Sequence, residues 1–393
     1  MATSTHLPVW ALGLGTAMAL IAACTAKSPG PTPSPTSAPT TSAPESSLPG
    51  SPSPEPTAGS DPAGSGAAGA LDPASARNVT ANLEAPWSIA FVGQTALVSL
   101  RDSGEILDIT GDGTRVVGAV PDIKHGGEGG LLGIVIGPDS QLFAYSTGAQ
   151  GNRIERFDLT GNPGAYGLDA PVTLVDQIPS AGNHNGGRLA LGPDGMLYAS
   201  TGDAGDSAHS QDLGSLGGKI LRLNLDGSVP ADNPFPGSYV YSLGHRNVQG
   251  LAWATDGTMF ATEFGQSTWD ELNIITPGSN YGWTIVEGMD QGEHAGEFVS
   301  PVQQWATSDA SPSGMARVGD TLFIANLRGA VLRAVPVGDP GTATEYFKGE
   351  LGRLRDVALS PTGDLWLLTN NTDGRGNPGP EDDRIVAVAL TDS

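Results

Sequence analysis

The 393-residue sequence contains one cysteine, Cys24, and only four lysines beside fifteen arginines. A single cysteine excludes an intrachain disulfide and a cysteine metal centre. The formal net charge of -23 argues against sequence-independent nucleic-acid binding, which needs a basic surface. Helix-favouring charged runs are scarce, whereas glycine is abundant at 56 residues. This composition favours one large all-β domain with unstructured ends.

The N-terminal segment lacks an apolar run long enough for a confident membrane span. The run Leu7–Ala23 has instead the length of a signal-peptide core, although no lysine or arginine precedes it. Its ending, Ile-Ala-Ala-Cys24, resembles a bacterial lipobox, in which the cysteine carries the lipid. Residues 1–23 are therefore predicted to be a lipoprotein signal peptide, with extracytoplasmic anchoring at the outer face of the cell membrane. The alternatives are an uncleaved signal or a chance cysteine.

Residues 24–74 lack large apolar side chains almost entirely and consist mainly of Pro, Ser, Thr, Ala and Gly. Such a segment cannot bury enough apolar surface to offset the entropy lost on ordering. It is predicted to be a disordered tether that holds the folded part, residues 75–393, away from the membrane.

A repeated pattern fills residues 75–393: an apolar strand, a small turn, a second apolar strand and a third, alternating strand. It recurs six times at intervals of roughly 45 to 60 residues, a length that suits a four-stranded propeller blade. The units begin near Pro86, Gly130, Gly187, Gln249, Ser313 and Arg355. The sequence predicts an all-β, six-bladed β-propeller of four-stranded antiparallel blades. A β-sandwich is the rival fold, but it gives no reason for sixfold recurrence.

Four arginines lie at comparable edges of different repeats, namely Arg246, Arg328, Arg353 and Arg355. Loops of a propeller meet around its central channel, so these side chains are candidates for one cleft. The planar guanidinium group binds carboxylates through two parallel hydrogen bonds. The alternative is that these arginines form salt bridges between blades.

His184 is the best candidate for a general base, because it lies in a glycine-flanked loop just before a strand and imidazole titrates near neutrality. A structural role for this histidine is the alternative.

The segment Glu263–Glu271, together with Asn280–Trp283, offers carboxylates, glycine carbonyls and a tyrosine, which suit a calcium site. Solvated acidic loops are the alternative interpretation here. The glycine-rich loop Gly126–Gly133 lacks the lysine of a phosphate-binding loop and predicts close backbone approach to a ligand or blade.

Four motifs together resemble one family. They are His-Asn-Gly-Gly-Arg-Leu-Ala-Leu-Gly-Pro-Asp-Gly, Leu-Gly-His-Arg-Asn-Val-Gln-Gly-Leu-Ala-Trp, Asp-Glu-Leu-Asn-Ile-Ile with Asn-Tyr-Gly-Trp, and Gly-Arg-Leu-Arg-Asp-Val. In this order they are similar to the soluble pyrroloquinoline quinone (PQQ) dependent sugar dehydrogenases, the glucose/sorbosone dehydrogenase family. The resemblance covers Asn82 to Leu390 and implies a six-bladed propeller.

The resemblance also implies roles for individual residues. His184 matches the general base that removes the proton of the sugar C1 hydroxyl as hydride passes to the quinone. Gly265 and Gln266 match backbone carbonyls that bind the calcium ion associated with the cofactor. Cofactor contacts are implied for Arg246, Asn247, Arg328, Arg353, Arg355 and the glycine-rich loop at Glu128. A second calcium site is implied at Asp270, Glu271 and Tyr281.

Three positions depart from the best-known members of the family. Asn183 replaces an aspartate, Gln266 replaces a proline and Glu128 replaces a glutamine. Glu128 adds negative charge near the expected cofactor and sugar, so the sugar specificity is not inherited. The expected activity is oxidation of aldose sugars to lactones with PQQ and Ca²⁺, the electrons passing to a membrane or soluble acceptor. The alternatives are a calcium-dependent propeller lactonase and a non-catalytic sugar-binding propeller.

Overall fold

The computed structural model describes residues 69–111, 113–289 and 292–391. The predicted signal peptide, Cys24 and most of the predicted tether therefore lie outside the described residues. Within those ranges, no helix combines the length and apolar character needed to cross a membrane.

Six antiparallel sheets follow one another along the chain and form the blades of a β-propeller. Blade 1 contains Pro86–Val92, Thr95–Leu100, Glu105–Thr110 and Gly113–Ala119. Blade 2 contains Leu131–Ile136, Gln141–Gly148 and Gly151–Thr160, and both Gly167–Leu168 and Val172–Ile178 pair with its third strand. Blade 3 contains Leu189–Leu191, Leu197–Ser200, Lys219–Leu223 and Val240–Leu243.

The remaining blades follow the same order from the channel outwards. Blade 4 contains Val248–Trp253, Met259–Glu263, Trp269–Ile275 and Gln303–Ala306. Blade 5 contains Pro312–Val318, Thr321–Asn326, Val331–Pro336 and Thr344–Tyr346. Blade 6 contains Leu354–Leu359, Leu365–Thr369 and Ile385–Val388, and Arg77–Thr80 supplies its fourth strand. The predicted six-bladed propeller is confirmed.

Short turns join the strands within each blade, and the sequence provides the residues that such turns need. Gly195 in Pro-Asp-Gly and Gly257 in Thr-Asp-Gly have φ angles of 75° and 89°, which glycine adopts without steric cost. Helical structure is limited to the four-residue helix Ala208–Gln211 and the 3-10 turns Pro73–Ser75 and Pro138–Ser140 in the described part of the chain.

The core consists of apolar clusters that lie between neighbouring blades. Phe143 and Tyr145 of blade 2 pack against Leu197 and Leu221 of blade 3, and all four are buried. Each such side chain contributes about 1.5–3 kcal/mol on burial. The same arrangement joins blade 1 to blade 6, so the ring closes.

The folded part begins before residue 75, the boundary predicted from the sequence. Ala70–Leu71 pairs with Leu390–Thr391 in a two-stranded sheet. Leu71 is buried in the cluster between blades 5 and 6. Composition placed these residues in the tether because a single leucine among small residues carries no periodic signal.

The six innermost strands contact their neighbours in a closed ring around the central channel. Polar side chains line this ring, and Arg188, Gln249 and Asp356 are each buried there. Nη1 of Arg188 lies 3.1 Å from Oδ2 of Asp356, and its Nε donates to the carbonyl of Gln249 at 2.9 Å. The guanidinium lies over the Trp87 ring at 4.4 Å. These contacts connect four blades through the channel.

Candidate active site

One end of the channel collects the loops that carry the candidate residues. In an antiparallel blade the first strand begins at the end where the second strand finishes. Loops before the first strands therefore meet loops after the second strands. Each second strand ends in or near a polar residue at this mouth, namely Arg101, Thr147, Asp203, Glu263, Asn326 and Asn370.

His184 forms a hydrogen-bonded pair with Asp203 of the same blade. Its Nδ1 lies 2.7 Å from Oδ1 of Asp203, whose other oxygen accepts the Trp283 indole N–H at 2.8 Å. Burial opposes ionisation, but the hydrogen bonds from His184, Gly205 and Trp283 hold the pKa of Asp203 below its ordinary value. The carboxylate therefore keeps the proton on Nδ1 and leaves Nε2 as the basic nitrogen. Nε2 lies 3.1 Å from Nδ2 of Asn183.

The backbone of His184 has a φ angle of 56°, in the left-handed region that residues with a Cβ rarely adopt. Its N–H donates to Oε2 of Glu128 at 2.8 Å, and its carbonyl accepts the N–H of Ala204 at 3.1 Å. A Cβ at Gly202 would lie 1.9 Å from this carbonyl oxygen. The glycine and the two hydrogen bonds together fix the unusual conformation.

Arg246 and Asn247 lie beside this pair. Nη1 of Arg246 donates to the carbonyl of Phe264 at 3.0 Å, and the guanidinium lies 5.6 Å from the Trp283 ring centre. Oδ1 of Asn247 accepts the N–H of Gly186 at 2.9 Å. Both side chains also have a buried donor, Nε of Arg246 and Nδ2 of Asn247, that finds no acceptor in the described part of the chain.

Arg353 and Arg355 reach the mouth from blade 6. Nη2 of Arg353 donates to Oδ2 of Asp373 at 3.2 Å. Arg355 is buried and donates to Oε1 of Gln249 at 2.7 Å and to Oδ1 of Asn370 at 3.2 and 3.3 Å. Burial lowers the pKa of Arg355, and the positive charge of Arg353 acts in the same direction. Arg355 therefore joins blades 4 and 6 as well as facing the channel.

Arg328 is more exposed than the other predicted arginines. Its side chain is exposed, and with Arg353 it lines a cleft of about 540 Å³ between blades 5 and 6. No ion pair or hydrogen bond to its side chain occurs among the described residues. Arg328 therefore shares one cleft with Arg353.

The predicted second calcium site has buried carboxylates whose oxygens already bind protein groups. Asp270 accepts N–H groups of Gly265 and Ser311 at 2.8 and 2.6 Å, and Glu271 accepts that of Gly288 at 2.7 Å. The Tyr281 hydroxyl donates to a carbonyl oxygen at 2.7 Å and accepts a backbone N–H at 2.9 Å. Within the described ranges, no three His, Cys, Asp or Glu side chains converge to hold a metal ion.

The surroundings of both carboxyl groups nevertheless disfavour the charged form. Burial raises the pKa of Asp270 to about 6 and that of Glu271 to about 8, where neighbouring Glu263 adds to the rise. A bound cation would relieve this repulsion, but the side chains would have to release N–H groups to coordinate it.

The loop Gly265–Trp269 follows the second strand of blade 4 and exposes backbone groups at the mouth. The N–H groups of Gln266, Ser267, Thr268 and Trp269 converge on Oε1 of Glu287 at 2.6 to 3.3 Å. The carbonyl oxygens of Gly265 and Gln266 accept no hydrogen bond from the residues the structure describes. This loop can therefore offer two carbonyl oxygens to a hard cation.

Sequence reasoning missed several groups that the fold brings to the mouth. Asp203, Trp283, Arg101 and Arg375 contact or electrostatically influence the predicted residues. A detectable signal existed for Asp203 and Arg101, because each follows a second strand closely. Trp283 and Arg375 lie in longer connections whose paths no local pattern reveals.

The mouth thus brings the basic nitrogen of His184, whose ring Asp203 orients, close to buried donors on Arg246 and Asn247 that have no acceptor in the described part of the chain. The six blades and this mouth define a β-propeller with a polar site at one end of its channel. The chain belongs to the Glucose / Sorbosone dehydrogenase family, whose model matches residues 83–377. The family and the oxidoreductase class predicted from the sequence are confirmed.

Individual relatives agree with this membership. The chain is 32% identical to the aldose sugar dehydrogenase YliI of Escherichia coli over 341 residues, which are 74% of this chain and 89% of that protein. It is 32% identical to quinoprotein glucose dehydrogenase B of Acinetobacter calcoaceticus over 279 residues, 60% of this chain and 58% of that protein. The PQQ-bound aldose sugar dehydrogenase of Streptomyces coelicolor is 46% identical with a TM-score of 0.77, covering 82% of this chain and 98% of that one.

Proposed function

We propose that this protein is a PQQ-dependent dehydrogenase that oxidises aldose sugars to lactones. The observation that carries the proposal is the His184–Asp203 pair, 2.7 Å apart, beside buried donors on Arg246 and Asn247 that lack acceptors. The PQQ-bound state of the Streptomyces coelicolor relative supports the choice of cofactor.

The donor set fits PQQ, which carries three carboxylates. Nε of Arg246 and Nδ2 of Asn247 are buried without acceptors, and an anionic ligand would satisfy both. Arg353 and Arg355 add positive charge, and Arg328 would bind from the cleft that it lines with Arg353. When bound, PQQ supplies the two-electron acceptor for the hydride that leaves sugar C1.

His184 would accept the proton from the C1 hydroxyl at Nε2. Asp203 keeps Nδ1 protonated, orients the ring and stabilises the imidazolium that forms. Asn183 lies 3.1 Å from Nε2, so the substrate hydroxyl must replace this amide in the reactive complex. The sugar would leave as a lactone and its hydroxyl proton would remain on Nε2 of His184, while a membrane or soluble acceptor would finally take up the two electrons.

Calcium would bind beside the cofactor at the carbonyl oxygens of Gly265 and Gln266. These oxygens are free of hydrogen bonds within the described residues, and hard cations prefer such ligands. A further ion at Asp270, Glu271 and Tyr281 would require these side chains to change partners. The raised pKa of about 8 for Glu271 means that protons would compete with this ion near neutral pH.

The deciding experiment is dye-linked oxidation of a panel of aldoses by the purified full chain. Assays with PQQ alone, calcium alone, both and neither separate the two requirements. We expect oxidation only when PQQ is present and faster oxidation with calcium. Oxidation that ignores PQQ would refute the proposal, and lactone hydrolysis with calcium alone would favour a propeller lactonase. Sugar binding without turnover would favour a binding protein.

The His184→Ala variant should lose at least about 100-fold in kcat, because general-base catalysis typically contributes that much or more. PQQ binding, followed by an absorbance titration, should remain within about twofold of the wild-type affinity. His294→Ala is the matched control, since His294 lies on the surface beside Glu297. Unchanged kcat in the His184 variant would remove this residue from the role of base.

We also propose that the protein is lipid-anchored at Cys24 on the outer face of the cell membrane. The support is the apolar run Leu7–Ala23, its lipobox-like ending and the Pro/Ser/Thr-rich segment that follows. A Cys24→Ala variant should move from the membrane fraction to the soluble fraction of the expressing cells. Equal membrane retention of both forms would contradict lipid anchoring.

A further inference from the structure

An ion pair crosses the channel mouth from blade 6 to blade 2. Nη1 of Arg375 lies 3.5 Å from Oε1 of Glu128, and their side chains are 41% and 20% exposed. Arg375 belongs to the long connection between the second and third strands of blade 6, whereas Glu128 precedes the first strand of blade 2. Blade 1 lies between blades 6 and 2 in the ring, so the ion pair spans the part of the mouth that blade 1 borders.

The same carboxylate of Glu128 holds the backbone of His184. Its other oxygen, Oε2, accepts the His184 N–H at 2.8 Å. His184 has a φ angle of 56°, and such strain persists only where surrounding contacts impose it. Any movement of Glu128 would therefore weaken a contact that keeps the imidazole in place.

Arg375 is itself anchored close to the residues predicted to bind the cofactor. Its backbone N–H donates to Oδ1 of Asp373 at 2.9 Å, and Oδ2 of Asp373 accepts Nη2 of Arg353 at 3.2 Å. The Asp373 side chain is buried. Neighbouring Gly376 packs against Asn371, where a Cβ would lie 2.6 Å from the Asn371 Cα. These contacts therefore hold in place the loop that carries the Arg375 guanidinium.

We propose that Arg375 is a positioning residue that acts on His184 through Glu128. Without the guanidinium, the carboxylate of Glu128 would face an anionic cofactor uncompensated and would turn towards water. With the Arg375 guanidinium present, the charge of the Glu128 carboxylate is balanced and Oε2 of Glu128 continues to accept the His184 N–H. A charged residue at position 128, beside an anionic cofactor, thereby becomes compatible with catalysis.

The kinetic test, which rests on the proposed function, compares Arg375→Met, Arg375→Lys, Glu128→Gln and the double variant Arg375→Met/Glu128→Gln at saturating PQQ. Arg375→Met should lower kcat/KM about tenfold, since small misplacements of reacting groups carry such costs. Lysine should restore most of the activity. In the Glu128→Gln background, Arg375→Met should lower kcat/KM less than twofold, because no carboxylate charge at residue 128 remains to be balanced. If the two substitutions lowered kcat/KM independently, so that their effects multiplied in the double variant, the proposal would be overturned.

Arg384→Met provides the matched control, since Arg384 ends the same connection but pairs with Glu381 and Asp382. Its kcat/KM should equal that of the wild type. The melting temperature of every variant should stay within about 2 °C, because a partly exposed ion pair contributes little to the stability of the fold. A large fall in the melting temperature of Arg375→Met without rescue by lysine would assign Arg375 a merely structural role and overturn the proposal.

A second measurement does not depend on enzymatic activity. The chain has six histidines, so selective ¹⁵N-histidine labelling gives a simple amide spectrum in which a His184 substitution assigns the His184 signal. Hydrogen exchange of this amide should be at least about fivefold faster in Arg375→Met than in the wild type or Arg384→Met. Equal exchange would refute the proposal. Failure of wild-type sugar oxidation with PQQ would instead refute the proposed function and leave this test intact.

Discussion

Asp203 is buried beside His184 and accepts three hydrogen bonds at its two carboxylate oxygens, from His184, Gly205 and Trp283. These donors hold the pKa of Asp203 below its ordinary value despite burial. At the scale of single residues, the site therefore relies on a carboxylate that orients the reacting group. Glu263 has a comparable role next door, since it binds Nδ1 of His245 at 2.8 Å and the backbone N–H of Arg246.

The Asp203→Asn variant tests this orienting role. An amide can donate to Nδ1 and so favours the wrong tautomer, which should lower kcat by about 100-fold or more with little change in PQQ affinity. Steady-state kinetics and a PQQ titration measure the two effects. Wild-type kcat in Asp203→Asn would show that His184 needs no such partner.

The same variant gives a pH signature. A carboxyl group with a lowered folded pKa stabilises the fold above its unfolded pKa, near 3.8, and loses that contribution as pH falls through the folded pKa. The advantage of wild type over Asp203→Asn in melting temperature should therefore be full at pH 6 and shrink below about pH 4. Thermal unfolding from pH 3 to 7 measures this, and a constant difference would contradict the assigned pKa.

At the scale of elements, the site depends on how closely two loops of blade 3 approach each other. The loop before Leu189–Leu191 carries His184, and the loop after Leu197–Ser200 carries Gly202 and Asp203. The absence of a Cβ at Gly202 allows the His184 carbonyl to pass at a distance that no other residue would permit. The hairpin therefore carries both members of the His184–Asp203 pair and sets the distance between their two loops.

Gly202→Ala should disrupt this approach. A Cβ would lie 1.9 Å from the His184 carbonyl oxygen, so the His184 loop must move and kcat/KM should fall more than tenfold. Gly338→Ala is the matched control, because a Cβ there meets nothing within 4 Å. Sugar oxidation by both variants, with circular dichroism to check folding, measures the effect. Equal activity of the two variants would contradict the close approach.

At the scale of the whole molecule, the two ends of the described chain close the ring. Arg77–Thr80 completes blade 6 by pairing with Ile385–Val388, and Ala70–Leu71 pairs with Leu390–Thr391. Closure protects the strand edges and fixes the position of blade 6 relative to blade 1. Because Arg353 and Arg355 belong to blade 6 and Glu128 to blade 2, closure also sets the width of the mouth.

Leu71→Ala should therefore destabilise the whole propeller. Leu71 is buried in the cluster between blades 5 and 6, and replacing such a leucine costs about 2–5 kcal/mol, with a value near 2 expected beside the terminal sheet. Leu213→Ala, whose side chain is 46% exposed, should change stability by less than about 0.5 kcal/mol. Urea unfolding of both variants provides the comparison. Equal stabilities would mean that the terminal sheet contributes nothing to closure.

Much of the fold was predictable because strand patterns are local. Alternating apolar residues and short glycine-containing turns recur in each blade, so six blades could be counted without any contact information. The fourth strand of blade 6, Arg77–Thr80, was not predictable in this way, because it has no neighbouring hairpin partner in the sequence. The start of the folded part before residue 75 was missed for a similar reason.

The sequence by itself determined the number of blades, the family and the types of residue that border the channel. Only the tertiary structure decided which of them meet: Asp203 with His184, Arg375 with Glu128, and Arg355 with Gln249 across the channel. It also placed Arg328 in one cleft with Arg353. The physical reason is that strands follow from local periodicity, whereas convergence at the mouth depends on the packing of whole blades around the ring.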